Sequence, residues 1–323
     1  MHNGSQTNEG GFGTPIVLFN FNRPKLTRQI FEVVRKIKPT RLFLIADGPR
    51  QSWPEDERLC AEVRAIFDEI DWECEVWRDY SDTNLGCSKR IFTGLDWVFE
   101  NAEEAIILED DCLPSLSFFP YCEELLARYR NDHRVSLISG TNFDYTRATP
   151  NNESYFFSRY GGTWGWASWR RTWQQVDQTM SWWDSKVAQK MLIKLFPEPN
   201  EWKHWYRLFQ EIYSGTIKNE WDYQLLLSCF RYSQCRAVPR INLISNIGFG
   251  GDATHCIDEY SALNSINKDE LEFPLIHPLD VTIDERVEHE IYCAHIEIKP
   301  SSLFKRITKR IVTTFTRANS GSI

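Results

Sequence analysis

The chain has 323 residues, 42% hydrophobic and 25% charged, which is enough core for one large or two modest domains. A formal net charge of −8, with no basic stripe across the folded part, argues against nucleic acid as a partner. No apolar run reaches the ~18 residues of a membrane span, and residues 1–14 are polar and Gly-rich rather than leader-like, so neither a span nor a secretory leader is expected. The nine cysteines are scattered without CxxC spacing, which leaves zinc ribbons and thioredoxin-like chemistry unsupported and fits a reduced, cytoplasmic compartment.

From Thr14 to about Gly140, apolar runs alternate with helical patterns. Pro15–Phe21 is predicted as a strand and Pro24–Ile37 as a helix with proline at its start. Arg41–Ala46 is a second strand ending at Asp47-Gly48-Pro49, and Glu55–Ile70 a helix with Leu59, Val63, Ile66, Phe67 and Ile70 along one face. Cys74–Trp77 is a third strand, followed by the turn Asn84-Leu85-Gly86 and a helix capped by Ser88 and running through Phe99. A strand at 105–108, a helix from about Phe118 to Tyr129 and a strand Val135–Ser139 complete the series. Such alternation implies an α/β fold: a Rossmann-like, mostly parallel sheet with flanking helices.

After Gly140 the rhythm fades. Residues 141–180, rich in Gly, Trp, Arg and Thr, read as a shaped loop region. Helical patterns resume near Asp184–Leu195, Trp202–Ile212 and Glu220–Arg231, and a strand at Ala237–Leu243 enters the loop Ser245–His255. This half is expected to be a helical subdomain rather than an independent domain. Ser302–Arg317 sets Leu303, Phe304, Ile307, Ile311, Val312 and Phe315 at helical spacing among Lys305, Arg306, Lys309, Arg310 and Arg317. A basic amphipathic helix suits either an anionic membrane surface or packing on the protein itself.

The chemistry concentrates at Ala105-Ile-Ile-Leu-Glu-Asp-Asp-Cys112. Four apolar residues lead into Glu109, Asp110 and Asp111 at a strand's carboxyl end, where open α/β sheets bind their ligands. Three adjacent acids need neutralising, and a hard divalent cation, Mn²⁺ or Mg²⁺, bridging to the phosphates of a nucleotide diphosphate does so. Asp47 is a candidate to accept from a base or ribose, or to cap its own turn. Arg23, beyond the first strand, is a candidate phosphate partner or a solvated helix-start charge. Lys89, with Arg90, offers cations near phosphate. Asp222, in Glu220-Trp-Asp-Tyr-Gln224, is a candidate general base or a helix-start acid, with Glu220 as substitute. His255 follows the glycines Gly248, Gly250 and Gly251 and reads as a ligand-side or a surface histidine. Trp164 and Trp166 form a stacking wall or core packing. Asp144 and Asp252 read as solvated, and His133 and His204 as structural.

Phe21-Asn-Arg-Pro24, Ile45-Ala-Asp-Gly48, Asn84-Leu-Gly86, Leu108-Glu-Asp-Asp111, Gly165-Trp166, Trp221-Asp222 and Phe249-Gly250 occur in this order. Together they resemble the nucleotide-sugar glycosyltransferases of the A-type fold, and among them the N-acetylglucosaminyltransferase I-like group and its bacterial relatives, over about residues 14–256. The resemblance implies manganese on Asp111, ribose on Asp110, donor sugar on Glu109, nucleotide contacts from Arg23 and Asp47, metal or diphosphate contact from His255, and Asp222 as base of an inverting transfer. Composition and periodicity divide the chain into a disordered lead (1–13), a half (14–140) to which the resemblance gives nucleotide-sugar binding, a half (141–260) to which it gives the acceptor side, an extension (261–301) and the basic tail (302–323).

The expected activity is transfer of a sugar, UDP-linked as the resemblance implies, to a glycan or lipid-linked acceptor at the cytoplasmic face of a membrane. Two rivals stand beside it. A nucleotidyltransferase also uses strand-end acids and a divalent ion, although Phe21-Asn22-Arg23-Pro24 lacks a Gly-rich phosphate loop. A non-catalytic nucleotide-sugar-binding subunit peripheral to the membrane is the other.

Overall fold

Ile16–Asn20 forms β1, and every one of its five residues is buried. Ile16 and Leu18 enter one core while Val17 and Phe19 enter another, so the strand is covered on both faces and its sequence is a continuous apolar run. A computed structural model describes residues 11–143, 152–218, 220–248 and 266–293. In it β2 (Arg41–Ala46), β3 (Glu75–Tyr80) and β4 (Glu104–Glu109) join β1 in parallel, in the order β3-β2-β1-β4. The register pairs Asn20 with Ala46 and Phe19 with Glu109, so three neighbouring strands end together. This is the edge at which an α/β sheet opens its ligand crevice.

The crossovers are the predicted helices. In α1 (Pro24–Ile37), Thr27, Ile30, Phe31 and Val34 are buried, and left-handed Lys38 closes it. Helix α2 (Glu55–Ile66) ends earlier than the periodicity suggests, because Phe67–Glu69 tightens into a 3-10 turn. Helix α3 (Cys87–Asn101) leads into β4, and β5 (Cys112–Pro114) follows it. Helix α4 (Phe118–Tyr129) packs with α1 and α2 on one face of the sheet, and α3 on the other.

The sheet continues into the second half through β6 (Val135–Ser139), β7 (Tyr155–Ser158), β8 (Trp166–Trp169) and, after the helices, β9 (Cys235–Pro239). Among the described residues it has eight strands in the order β3-β2-β1-β4-β8-β6-β9-β7. Strand β8 is antiparallel to both β4 and β6. A loop region was expected over 141–180; β7 and β8 lie there instead. Each has four residues buried on both faces, too short and too uniformly apolar for a period to register. The strand expected over 237–243 lies earlier, as β9 runs from Cys235 and stops at Pro239, and a separate short strand, β10 (Ile244–Asn246), pairs antiparallel with β5.

After the single turn α5 (Arg170–Trp173), helices α6 (Ser185–Leu195), α7 (Pro199–Tyr213) and α8 (Asp222–Arg231) enclose a third core around Phe196, Trp205, Phe209 and Phe230. The short α9 (Glu285–Ile291) adds Ile291 to it. No helix among the described residues is long and apolar enough to cross a membrane. The basic tail, Asp144, Phe249-Gly250, Asp252 and His255 lie outside the described residues.

Candidate active site

Strand β4 carries Ala105–Leu108 through the core and delivers Glu109, Asp110 and Asp111 to the carboxyl edge of the sheet. Asp110, 4% exposed, accepts from the Phe21 backbone N–H at 3.4 Å. Arg23 spans the pair: one guanidinium nitrogen bonds Asp110, and Nη1 donates to Asp111 Oδ2 at 3.0 Å. The first turn after β1 is therefore tied to the end of β4 across the parallel pair.

Among the described residues, Arg23 is the cation bonded to these acids. Burial acts to lower the Arg23 pKa, but Asp110 and Asp111 outweigh it and hold the guanidinium charged. Burial lifts the Glu109 carboxyl well above the usual range, with Asp111 and Asp110 adding and Arg23 opposing. Burial likewise lifts Asp110, against the pull of Arg23.

Asp222 belongs to this field. It opens α8, and its charge adds to the upward shift of Glu109. A tryptophan pair sets it there: Trp166 of β8, register partner of Ile107 in β4, stacks on Trp221 with centroids 5.9 Å apart. Trp166 is 1% exposed, its ring occupied by this packing rather than presented to the crevice. The Cys87 thiol at the start of α3 is pushed up to about 12, by burial first and then by Glu109, Asp222, Glu220 and Asp111. In the sequence nothing marks Cys87 beyond its place next to the Asn84–Gly86 turn.

The chain also closes over the acids from the far half. The Ile247 N–H donates to the Asp111 carbonyl at 2.8 Å, directly after β10. A Cβ on Gly248 would stand 2.3 Å from Asp111 Oδ2 and 2.9 Å from Arg23 Nη1, so the backbone there approaches as only glycine allows.

Asp47 lies at the end of β2, 5% exposed. Its carboxylate accepts from the backbone N–H groups of Gly48, Leu85 and Gly86 at 2.9, 2.8 and 3.0 Å, and from Asn84 Nδ2 at 3.0 Å. It thereby latches the Asn84–Gly86 turn to the sheet; Gly86, at φ 80, supplies the left-handed residue before α3. Arg90 is buried, donating to the Ala46 carbonyl and pairing with Asp79 at 2.8 Å. Lys89 beside it is exposed.

The donor set suits a hard cation. No group of three or more His, Cys, Asp or Glu side chains among the described residues is placed to hold a metal ion by itself. Magnesium characteristically needs none, since it binds through one or two carboxylates, waters and substrate phosphates. Glu109 and Asp111, oxygen donors side by side at one strand end, fit that mode.

No family model matches this chain, and no curated protein matches it. Solved structures do. An inositol-1-phosphate CTP transferase from T. maritima aligns over 79% of this chain and 97% of its own, at 11% identity and a TM-score of 0.39. The 4-diphosphocytidyl-2C-methyl-D-erythritol synthase of Anaerococcus prevotii aligns over 50% and 74%, at 9% identity and a TM-score of 0.32. A UDP-glucose pyrophosphorylase complexed with UDP-glucose aligns over 50% and 78%, at 10% identity and 0.29.

These matches correct the glycosyltransferase assignment. The three structures named here are nucleotidyltransferases, and none of them belongs to the N-acetylglucosaminyltransferase I-like group. The motifs behind that resemblance are short and mostly serve the fold: Asp47 latches the Asn84–Gly86 turn and Trp166 packs on Trp221. At these scores the likeness is one of fold and assigns no residue a role.

Proposed function

We propose that this chain is a divalent-ion-dependent nucleotidyltransferase: an enzyme that moves a nucleotidyl group from a nucleoside triphosphate to a phosphomonoester. The observation that carries the reading is the acid triplet at the joined ends of β1 and β4, where Arg23 pairs with Asp110 and Asp111 and Glu109 keeps its proton above the usual carboxylate range, to be given up to an arriving cation. Such a site favours a ligand arriving with a divalent ion, and the strand-end crevice favours a nucleotide.

In this reading an acceptor phosphate oxygen attacks the α-phosphorus. The new P–O bond forms as the bond to the β-phosphate breaks, and diphosphate leaves with the electron pair. Asp111 and Glu109 are the residues that would hold Mg²⁺ or Mn²⁺, which when bound supplies charge neutralisation on the phosphates. Asp110 keeps Arg23 in place, and Arg23 stands as the cation of the turn after β1, where no Gly-rich loop exists. An ionised phosphate nucleophile needs no strong base, so Asp222 is assigned to orienting the acceptor rather than to deprotonating a hydroxyl.

The test is diphosphate release from each of the four nucleoside triphosphates with Mg²⁺ and a panel of sugar and polyol phosphates. The reading requires release that depends on an acceptor and falls at least about 100-fold in Asp111→Asn. Release from none of them, or full activity in Asp111→Asn, rejects it.

A further inference from the structure

Beside the acid site, the loop that follows β2 builds a feature the reaction described above does not use. Trp53 is 57% exposed, yet it is not a loose surface ring. Its backbone N–H donates to the Arg50 carbonyl at 3.1 Å and its backbone carbonyl accepts from the Asp56 N–H at 3.0 Å, which fixes the turn that carries the ring. The Arg50 guanidinium carbon lies 4.4 Å from the Trp53 ring centroid and 5.3 Å from that of Phe21. Both distances are within the range of cation–π attraction.

Arg50 is itself immobilised. Its Nε and Nη2 donate to the two oxygens of Asp56 at 2.6 and 2.9 Å, and its backbone N–H adds a bond at 3.1 Å. Asp56, 1% exposed, accepts also from Asn22 Nδ2 at 2.7 Å. Asn22 sits between Phe21, whose N–H holds Asp110, and Arg23, which pairs with Asp110 and Asp111. One connected set of contacts therefore runs from an exposed indole to the carboxylates.

We propose that the exposed face of Trp53, backed by Arg50 and Phe21, is a stacking platform for the nucleobase of the ligand whose phosphates reach Asp111. This rests on the nucleotidyl-transfer reading and extends it to how the base is held. A rigid aromatic face costs little ordering on binding, and a guanidinium beneath it is fixed before the ligand arrives. Stacking accepts any base, so the platform provides affinity, and choice among bases falls to other contacts.

Calorimetry on the full chain tests it, with the Mg²⁺ complexes of CTP, UTP, ATP and GTP and of inorganic triphosphate as probes. Wild type should bind at least one nucleoside triphosphate more tightly than triphosphate. Trp53→Ala should weaken that nucleotide about tenfold and leave triphosphate unchanged, while Trp53→Phe keeps most of the affinity. Trp53 is exposed, so an unchanged melting temperature will show that the variants fold. Undiminished nucleotide affinity in Trp53→Ala overturns the platform, as does wild-type binding of triphosphate as tightly as every nucleotide. In either case nucleotidyl transfer stands on phosphate binding alone. Wild type that binds none of the probes overturns both.

Discussion

Gly248 and Asp111, from opposite halves of the chain, meet so closely that a Cβ on the glycine would lie 2.3 Å from the carboxylate oxygen and 2.7 Å from the Asp111 Cβ. The β5–β10 pairing brings them together, Asn246 opposite Cys112. Gly248→Ala must push either the loop or the Arg23–Asp111 pair aside. Overpacking of this kind costs ~1–3 kcal/mol. The expected outcome is a modest fall in melting temperature with a larger fall in Mg²⁺–nucleotide affinity, both read on one sample. A variant that loses stability but binds normally would separate the loop from the site.

The Asp47 latch makes a different prediction. Its carboxylate satisfies three backbone N–H groups and one side-chain amide inside the fold. Asp47→Ala orphans them, and buried unsatisfied donors cost ~1–3 kcal/mol each. Urea unfolding should show a loss of several kcal/mol, with Asp47→Asn intermediate because its amide keeps one acceptor oxygen. Wild-type stability in Asp47→Ala, with nucleotide binding alone impaired, would make this carboxylate a ligand contact rather than a latch.

The legible parts of this chain are those where burial and charge change abruptly. Ala105–Leu108 is an unbroken apolar run ending in three acids, and both the β4 strand and its exit into the crevice follow from that step. β7 and β8 offer no such step: Trp166–Trp169 is buried on both sides, and its place between β4 and β6 depends on partners distant in sequence. For the same reason the field of Asp222 at Glu109 could be suspected but not placed, since the Trp166–Trp221 stack that sets it is a tertiary contact. The motif order suggested sugar transfer, and the matched structures corrected it. Acids at a strand end specify an ion and phosphates, whereas the group transferred depends on the pocket around them.

Glu288 in α9 carries a pH prediction away from the site. It is 3% exposed, accepting from the Ser158 hydroxyl and from the Arg159 N–H at 3.1 Å. Burial pushes its carboxyl up to about 7, against Ser158 and Arg159, which pull it down. A folded pKa above the unfolded one means stability present in full below the ordinary carboxylate range and lost as pH rises through about 7. Melting temperature should therefore decline from pH 5 to pH 8, and Glu288→Gln, neutral throughout, should flatten the decline. Parallel profiles for the two proteins would show that the folded carboxyl titrates normally.

The acid triplet gives the opposite pH dependence once a cation is added. Glu109 and Asp110 hold protons above the usual carboxylate range, because burial and their neighbours disfavour the charged forms. A divalent ion must displace those protons, so its affinity rises with pH across the window in which they are retained. Mn²⁺ titrated into the full chain should bind more tightly at pH 8 than at pH 6, with proton release visible as a dependence of the heat on buffer ionisation enthalpy. Glu109→Gln removes one displaced proton and should shrink both effects; Asp111→Asn should abolish binding while leaving the fold intact. Chelation with EDTA should return the thermal stability of the Mn²⁺-loaded protein to its starting value. Mn²⁺ affinity that is equal at the two pH values, or untouched by Asp111→Asn, would place the ion elsewhere and leave the three carboxylates to Arg23 alone.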